Sequence, residues 1–256
     1  MAGRPIFDMA RDHPKILWVI LNFAAFFIFF VPIAYTIDPA RAISMATPLD
    51  DALPFVRWSF WGYSFAYLST FAVLFVIRSG RLFHYAGASF FVVLMISILF
   101  YVLIPVTTRD FRPIATTFED GTFMGWMLRM NWFIDRPYNC FPSLHVGAAF
   151  IAAFSCRRAH RRVGQLTLVW AVLISISALL MKQHFIADLL FGLVLALAAR
   201  QWILKRYIPS EDPDKRPPHF PPRIMALFIP AYFLMIGAAY FLYQIGWQPW
   251  AGKPVY

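Results

Sequence analysis

Seven apolar runs, each near the length that crosses a bilayer, constrain this chain more than any other feature. A spanning helix needs about 20 mainly apolar residues, with a working range of about 17–25. Such runs lie at Ile16–Thr36, Trp58–Ile77, Tyr85–Val106, Val163–Met181, Phe185–Ile203 and Ile224–Ile245, with a shorter one at Pro142–Cys156. The expected fold is all-α, a polytopic membrane helical bundle forming one membrane domain. Its parts are a six-helix core over 1–206, a cytoplasmic Pro-rich linker at 207–223, and a seventh transmembrane helix with an outer tail at 224–256.

The composition agrees. Of 256 residues, 60% are hydrophobic and 14% charged, which points to a membrane protein rather than a soluble core. A net charge of +10 raises the question of nucleic acid, but the basic residues sit in short clusters between apolar runs. That pattern sets topology, so no nucleic-acid partner is expected. Basic loops favour anionic lipid head groups instead. With the N-terminus in the cytoplasm, fifteen Lys and Arg fall inside and eight outside, "RRAHRR" at 157–162 being the strongest inside group. The first run is longer than a signal-peptide core and lacks a cleavage site, so it reads as a membrane helix. Chain size and the absence of targeting tails suggest a bacterial inner membrane. Cys140 and Cys156 would lie about 24 Å apart along a helix, too far for a disulfide.

The same topology sorts the histidines. His13, His84, His160 and His219 fall on the cytoplasmic side, and only His145 and His184 face outward, each at a helix start. In "KQHFIADLLFG", His184 and Asp188 are four apart and share a helix face. A bond between them fixes the imidazole tautomer and leaves the other ring nitrogen free to react. Ionisable residues in a membrane helix are functional by default, because burying them is expensive. In "PSLH", Pro142 suits the first helical turn, whose open amides and dipole attract anions. Ser143 adds a hydroxyl, and His145 would hang beside a bound phosphate.

Arg109, Arg112, Arg129, Arg136 and Lys182 share that side, and guanidinium groups suit a phosphate dianion. Taken singly, each feature also fits a plain structural role: an interfacial anchor, an N-terminal cap, a loop touching head groups. Together they read as phosphoryl-transfer machinery. Two histidines and an aspartate also suit zinc, but a site ringed by cations is a poor cation site. No metal and no cofactor is therefore expected.

These residues resemble the motifs of the type 2 phosphatidic acid phosphatase superfamily, whose membrane members hydrolyse or transfer lipid phosphates without a metal. The pattern has three parts: Lys-x6-Arg-Pro, Pro-Ser-x-His and Ser-Arg-x5-His-x3-Asp. Pro142, Ser143 and His145 match the second; His184 and Asp188 match the end of the third. Leu144 replaces the usual glycine, a variant similar to the inositol phosphorylceramide synthase branch, whose members are phosphotransferases. Ala178, after Ser177, stands where the third motif has arginine. The first motif has two readings. Arg112-Pro113 has the expected position, with Pro105 in the lysine place; Arg129-x6-Arg136-Pro137 has the spacing but lies close to the second motif. Arg112 is favoured, with Arg136 second.

The resemblance covers helices one to six. It implies His184 as a nucleophile forming a phosphohistidine, Asp188 as its orienter, and His145 as the acid that protonates the leaving alkoxide. Ser143, Arg112, Arg136 and Lys182 would bind phosphate oxygens. The implied partners are the bilayer, a lipid phosphate or diphosphate at the extracytoplasmic face, and water or a lipid alcohol as acceptor. Hydrolysis is the leading reading, and transfer of a phosphorylated head group between lipids is its alternative. A non-catalytic lipid-binding or transport protein that kept the fold, and a metal-dependent hydrolase, are readings from other classes.

Overall fold

Several helices in this chain begin where a side chain satisfies an open amide of the first turn. The computed structural model describes residues 14–113, 121–212 and 222–251. Among them the chain is helical, with one isolated parallel bridge between Ile43 and Val106 and no strand. Helix α1 (Pro14–Ala25) passes through a π-helical turn, Phe26–Phe30, into α2 (Val31–Thr36). Pro32, which has no N–H to give to the preceding turn, stands just after that wide turn. The short α3 (Pro48–Ala52) opens with a capping box. Asp50 Oδ2 accepts the Thr47 amide at 2.9 Å, and Thr47 Oγ1 accepts the Asp50 amide at 3.4 Å.

The run expected as one span at Trp58–Ile77 forms α4 (Phe60–Ser64) and α5 (Ala66–Val76), divided by a turn at Phe65. Ser79 caps α6 (Gly80–Leu103), its hydroxyl accepting the Leu82 amide at 2.9 Å. Residues 107–141, between the apolar runs that end at Val106 and begin at Pro142, contain a helix, α7 (Phe123–Ile134). It buries Trp126, Leu128 and Trp132 against Phe60, Tyr63 and Met181. At 12 residues it is too short to register as a span. Helices α8 (Leu144–Ala159) and α9 (Arg161–Leu180) are separated only by His160, whose Nδ1 accepts the Val163 amide at 3.4 Å and so caps α9. Then follow α10 (Ile186–Trp202) and α11 (Pro222–Gln244). The expected linker at 207–223 runs through residues 213–221, which lie outside the described residues.

Among the described residues, four helical stretches are long and apolar enough to cross a membrane: Lys15–Thr36, Gly80–Leu103, Arg161–Leu180 and Ile186–Arg206. Their outward faces expose large apolar side chains, among them Phe27, Ile28, Leu103, Leu166, Val169, Leu190 and Val194. A belt of that extent suits lipid rather than water. The shorter α8 sits at the centre, packed against α5, α6, α9 and α10. Its buried Gly147, Ala149, Ala152 and Ala153 let neighbouring backbones come close, which is how helices gain packing where there is no water to expel.

Candidate active site

Two helix starts meet at the site. Ser143 caps α8, its hydroxyl accepting the Val146 amide at 3.4 Å, while its own amide donates to the Asp188 carbonyl at 2.9 Å. That bond ties the start of α8 to the first turn of α10. One turn further on, Gly192 faces Ser143: a Cβ at residue 192 would stand 2.5 Å from the Ser143 carbonyl oxygen. Glycine is required there because backbone meets backbone.

His184 lies in the turn between α9 and α10. Lys182 takes the left-handed conformation at φ 57°, unusual for a residue with a Cβ. Its ammonium donates to the Asp50 carbonyl at 2.8 Å and lies 4.2 Å from the centre of the Phe111 ring. The Asp50 carboxylate accepts the Ile186 amide at 2.7 Å. Helix α3 thus clamps this turn from both sides of His184. Burial lowers the Lys182 pKa, with Asp51 and Asp50 opposing it.

Asp188 is fully buried, and its Oδ2 lies 3.2 Å from His184 Nδ1 and accepts the Phe185 amide at 2.9 Å. Holding the proton on Nδ1 leaves the Nε2 lone pair of His184 free. The His145 and His184 rings are 5.8 Å apart, centre to centre, and both line one cavity.

Arg112 and Arg136 both line this cavity. The two sequence alternatives for the first motif therefore converge on one place. Arg112 Nη2 donates to the Asp135 carbonyl at 2.9 Å, and burial lowers the arginine's pKa, partly offset by the Asp135 carboxylate. Arg136 stacks over the Tyr35 ring at 4.7 Å. The remaining cations named from sequence lie elsewhere. Arg109 is exposed and pairs with Asp110 at 2.9 Å, Arg129 is buried within α7, and Lys182 faces Asp50. Ser143 and Asp188 stand behind the cavity wall rather than on it.

Asp135, Tyr63, Gln183 and Asn139 belong to the site and were not named from sequence. Tyr63 Oη donates to Asp135 Oδ2 at 2.8 Å, and Gln183 Nε2 donates to the same oxygen at 2.7 Å. Asp135, Gln183 and Asn139 line the cavity. The available signal was the acid inside "NWFIDRP", a carboxylate between an aromatic run and an Arg-Pro pair. Among the described residues, no three His, Cys, Asp or Glu side chains are grouped to hold a metal ion.

Cys140 also lines the cavity, and Cys140 and Cys156 are both free thiols and buried. Burial, reinforced by the nearby Asp188 charge, pushes the Cys140 pKa up to about 12, so its reactive thiolate is scarce at neutral pH. A maleimide is expected to leave both cysteines unmodified in the native protein and to modify both after denaturation. Rapid native labelling of Cys140 would contradict its enclosure.

A family model described as the PAP2 superfamily matches residues 34–202. The chain belongs to the PAP2 superfamily. No curated protein and no solved structure matches it. The PAP2 match spans every site residue discussed from Tyr35 to Asp188 and stops before α11. Membership suggests a phosphatase-type activity, and together with the four apolar helices it suggests a membrane protein.

Proposed function

We propose that this PAP2 protein is an integral membrane enzyme that hydrolyses a lipid phosphate or diphosphate at the extracytoplasmic face through a phosphohistidine. One observation carries the reading: two imidazoles 5.8 Å apart share a cavity with two arginines, and a buried carboxylate stands behind one of the rings. His184 Nε2 attacks phosphorus as the ester P–O bond breaks, and His145 gives its proton to the departing alkoxide. A water then loses a proton to His145 and attacks phosphorus, breaking the P–N bond and releasing phosphate. Arg112 and Arg136 balance the charge on the phosphoryl oxygens in both steps. Ser143 holds the start of α8 and Lys182 holds the turn carrying His184, so both act on the phosphate site through backbone position. Metal-free turnover belongs to the proposal, since charge that a metal would neutralise is met by guanidinium.

Residues 1–206 would form the catalytic core, with α11 an added span beyond the 207–223 linker. The excess of Lys and Arg on the other side supports a site outside the cytoplasm, and a bacterial inner membrane is part of the proposal. Transfer to a second lipid alcohol, as in the inositol phosphorylceramide synthase branch, is the alternative that one residue favours. Leu144, in the place of glycine, adds an apolar side chain to the cavity wall.

The test uses purified protein in detergent with excess chelator and a panel of lipid phosphates and phosphodiesters, following free phosphate and new lipids together. Phosphate release is expected. A new head-grouped lipid with little phosphate would favour transfer. Activity lost to chelator and restored by a divalent metal would contradict the metal-free mechanism, and binding without turnover across the panel would contradict an enzyme.

A further inference from the structure

We propose that Asp135 is a positioning residue for the proton carried by His145, acting through the Tyr63 hydroxyl. This rests on His145 being the acid of the reaction proposed above. Asp135 follows the last residue of α7, and its backbone amide donates to the Asn131 carbonyl at 2.8 Å, which fixes where the carboxylate stands. Its Oδ2 receives the Tyr63 hydroxyl and the Gln183 amide and lies 4.0 Å from His145 Nε2. The Tyr63 hydroxyl in turn lies 3.2 Å from His145 Nδ1 and 3.3 Å from Nε2, and Tyr63 is fully buried.

A phenol has one proton to give. While Tyr63 donates to Asp135, its oxygen can only accept from His145, and a ring N–H must supply that bond. The chain from ring N–H to phenol to carboxylate therefore fixes which ring nitrogen faces Tyr63 and leaves the other to carry the proton to the leaving group. A carboxylate on the wall of a phosphate cavity opposes binding by charge alone, so its presence asks for a role. Arg112, bonded to the backbone carbonyl of the same residue, offsets that repulsion. The two histidines would then be tuned by different aspartates. Asp188 orients one ring directly, and Asp135 orients the other through a phenol. No atom of Asp135 enters the balance: the P–O bond breaks, the N–P bond forms, and the His145 proton ends on the alcohol.

The test compares two phosphate monoesters that differ in leaving group, decyl phosphate and 4-nitrophenyl phosphate, with full-length protein in detergent. A nitrophenolate departs without protonation; a decyl alkoxide does not. Asp135→Asn, which keeps the size and an acceptor oxygen, is expected to lower kcat/KM, which reports P–O cleavage and not the later hydrolysis, about ten- to a hundredfold on the decyl ester and to leave it within about threefold on the nitrophenyl ester. Tyr63→Phe, which keeps the buried ring, should lose about three- to tenfold on the decyl ester with the same selectivity. His145→Ala should show the same pattern with a larger loss. Equal losses on both esters for Asp135→Asn and Tyr63→Phe, with His145→Ala still selective, would overturn the role of Asp135 and leave the acid role standing. Equal losses for His145→Ala, or a parent enzyme silent on both esters, would overturn the reaction proposed above and this assignment with it.

Discussion

Replacing His184 by alanine is expected to lower turnover of a lipid phosphate by about 10⁴-fold or more, because it removes the nucleophile on which the proposed covalent intermediate forms. His145 cannot stand in. It lies on α8, and its proton is committed to the leaving group. The variant should still fold: the turn carrying residue 184 is held by Lys182 on the Asp50 carbonyl and by the Ile186 amide on the Asp50 carboxylate, and neither contact uses the imidazole. Asp188 loses one partner but keeps the Phe185 amide. Thermal unfolding beside the parent checks the fold, and phosphate release checks the activity. A folded variant within tenfold of the parent would remove His184 from the reaction.

The second large effect comes from a residue that touches no substrate. In Gly192→Ala the added methyl would stand 2.5 Å from the Ser143 carbonyl, a backbone atom that cannot rotate away. Helices α8 and α10 must separate, which strains the bond from the Ser143 amide to the Asp188 carbonyl and moves His145 away from His184. Overpacking of this kind costs about 1–3 kcal/mol. The chemistry is hit harder, since a misplacement of about 1 Å in a reacting constellation can lower the rate about 10²-fold. Gly192→Ala should therefore lower kcat by about two orders of magnitude and shift unfolding downward. A variant of parental activity and stability would contradict the close approach of the two helices.

Which parts of this were legible in the sequence follows from what each signal depends on. His145, His184 and Asp188 were readable because local spacing alone puts them at helix starts and on one face. The long apolar helices were readable because length and hydropathy are properties of a single segment. Helix α7 was hidden because it is short and lies among loop residues, and its apolar face is buried by α4, by the turn after α9 and by Trp250, all distant in sequence. Asp135 and Tyr63 were hidden for the same reason: they are 72 residues apart, and only packing brings them together. The choice between Arg112 and Arg136 had no answer from spacing, and both line the cavity. Lys182 looked like a phosphate ligand from its charge and proximity to His184, but its left-handed backbone turns the side chain toward Asp50. Charge is written in the sequence, whereas direction comes from the fold.

The central claim is that a phosphoryl group passes onto His184. Rapid quenching of the purified enzyme with a phosphorus-labelled lipid phosphate, followed by peptide mapping, tests it most directly. The account predicts an acid-labile, base-stable label on the peptide carrying His184, formed as fast as the enzyme turns over and absent in His184→Ala. Full turnover with no labelled enzyme at any quench time, or label that persists in His184→Ala, would contradict it.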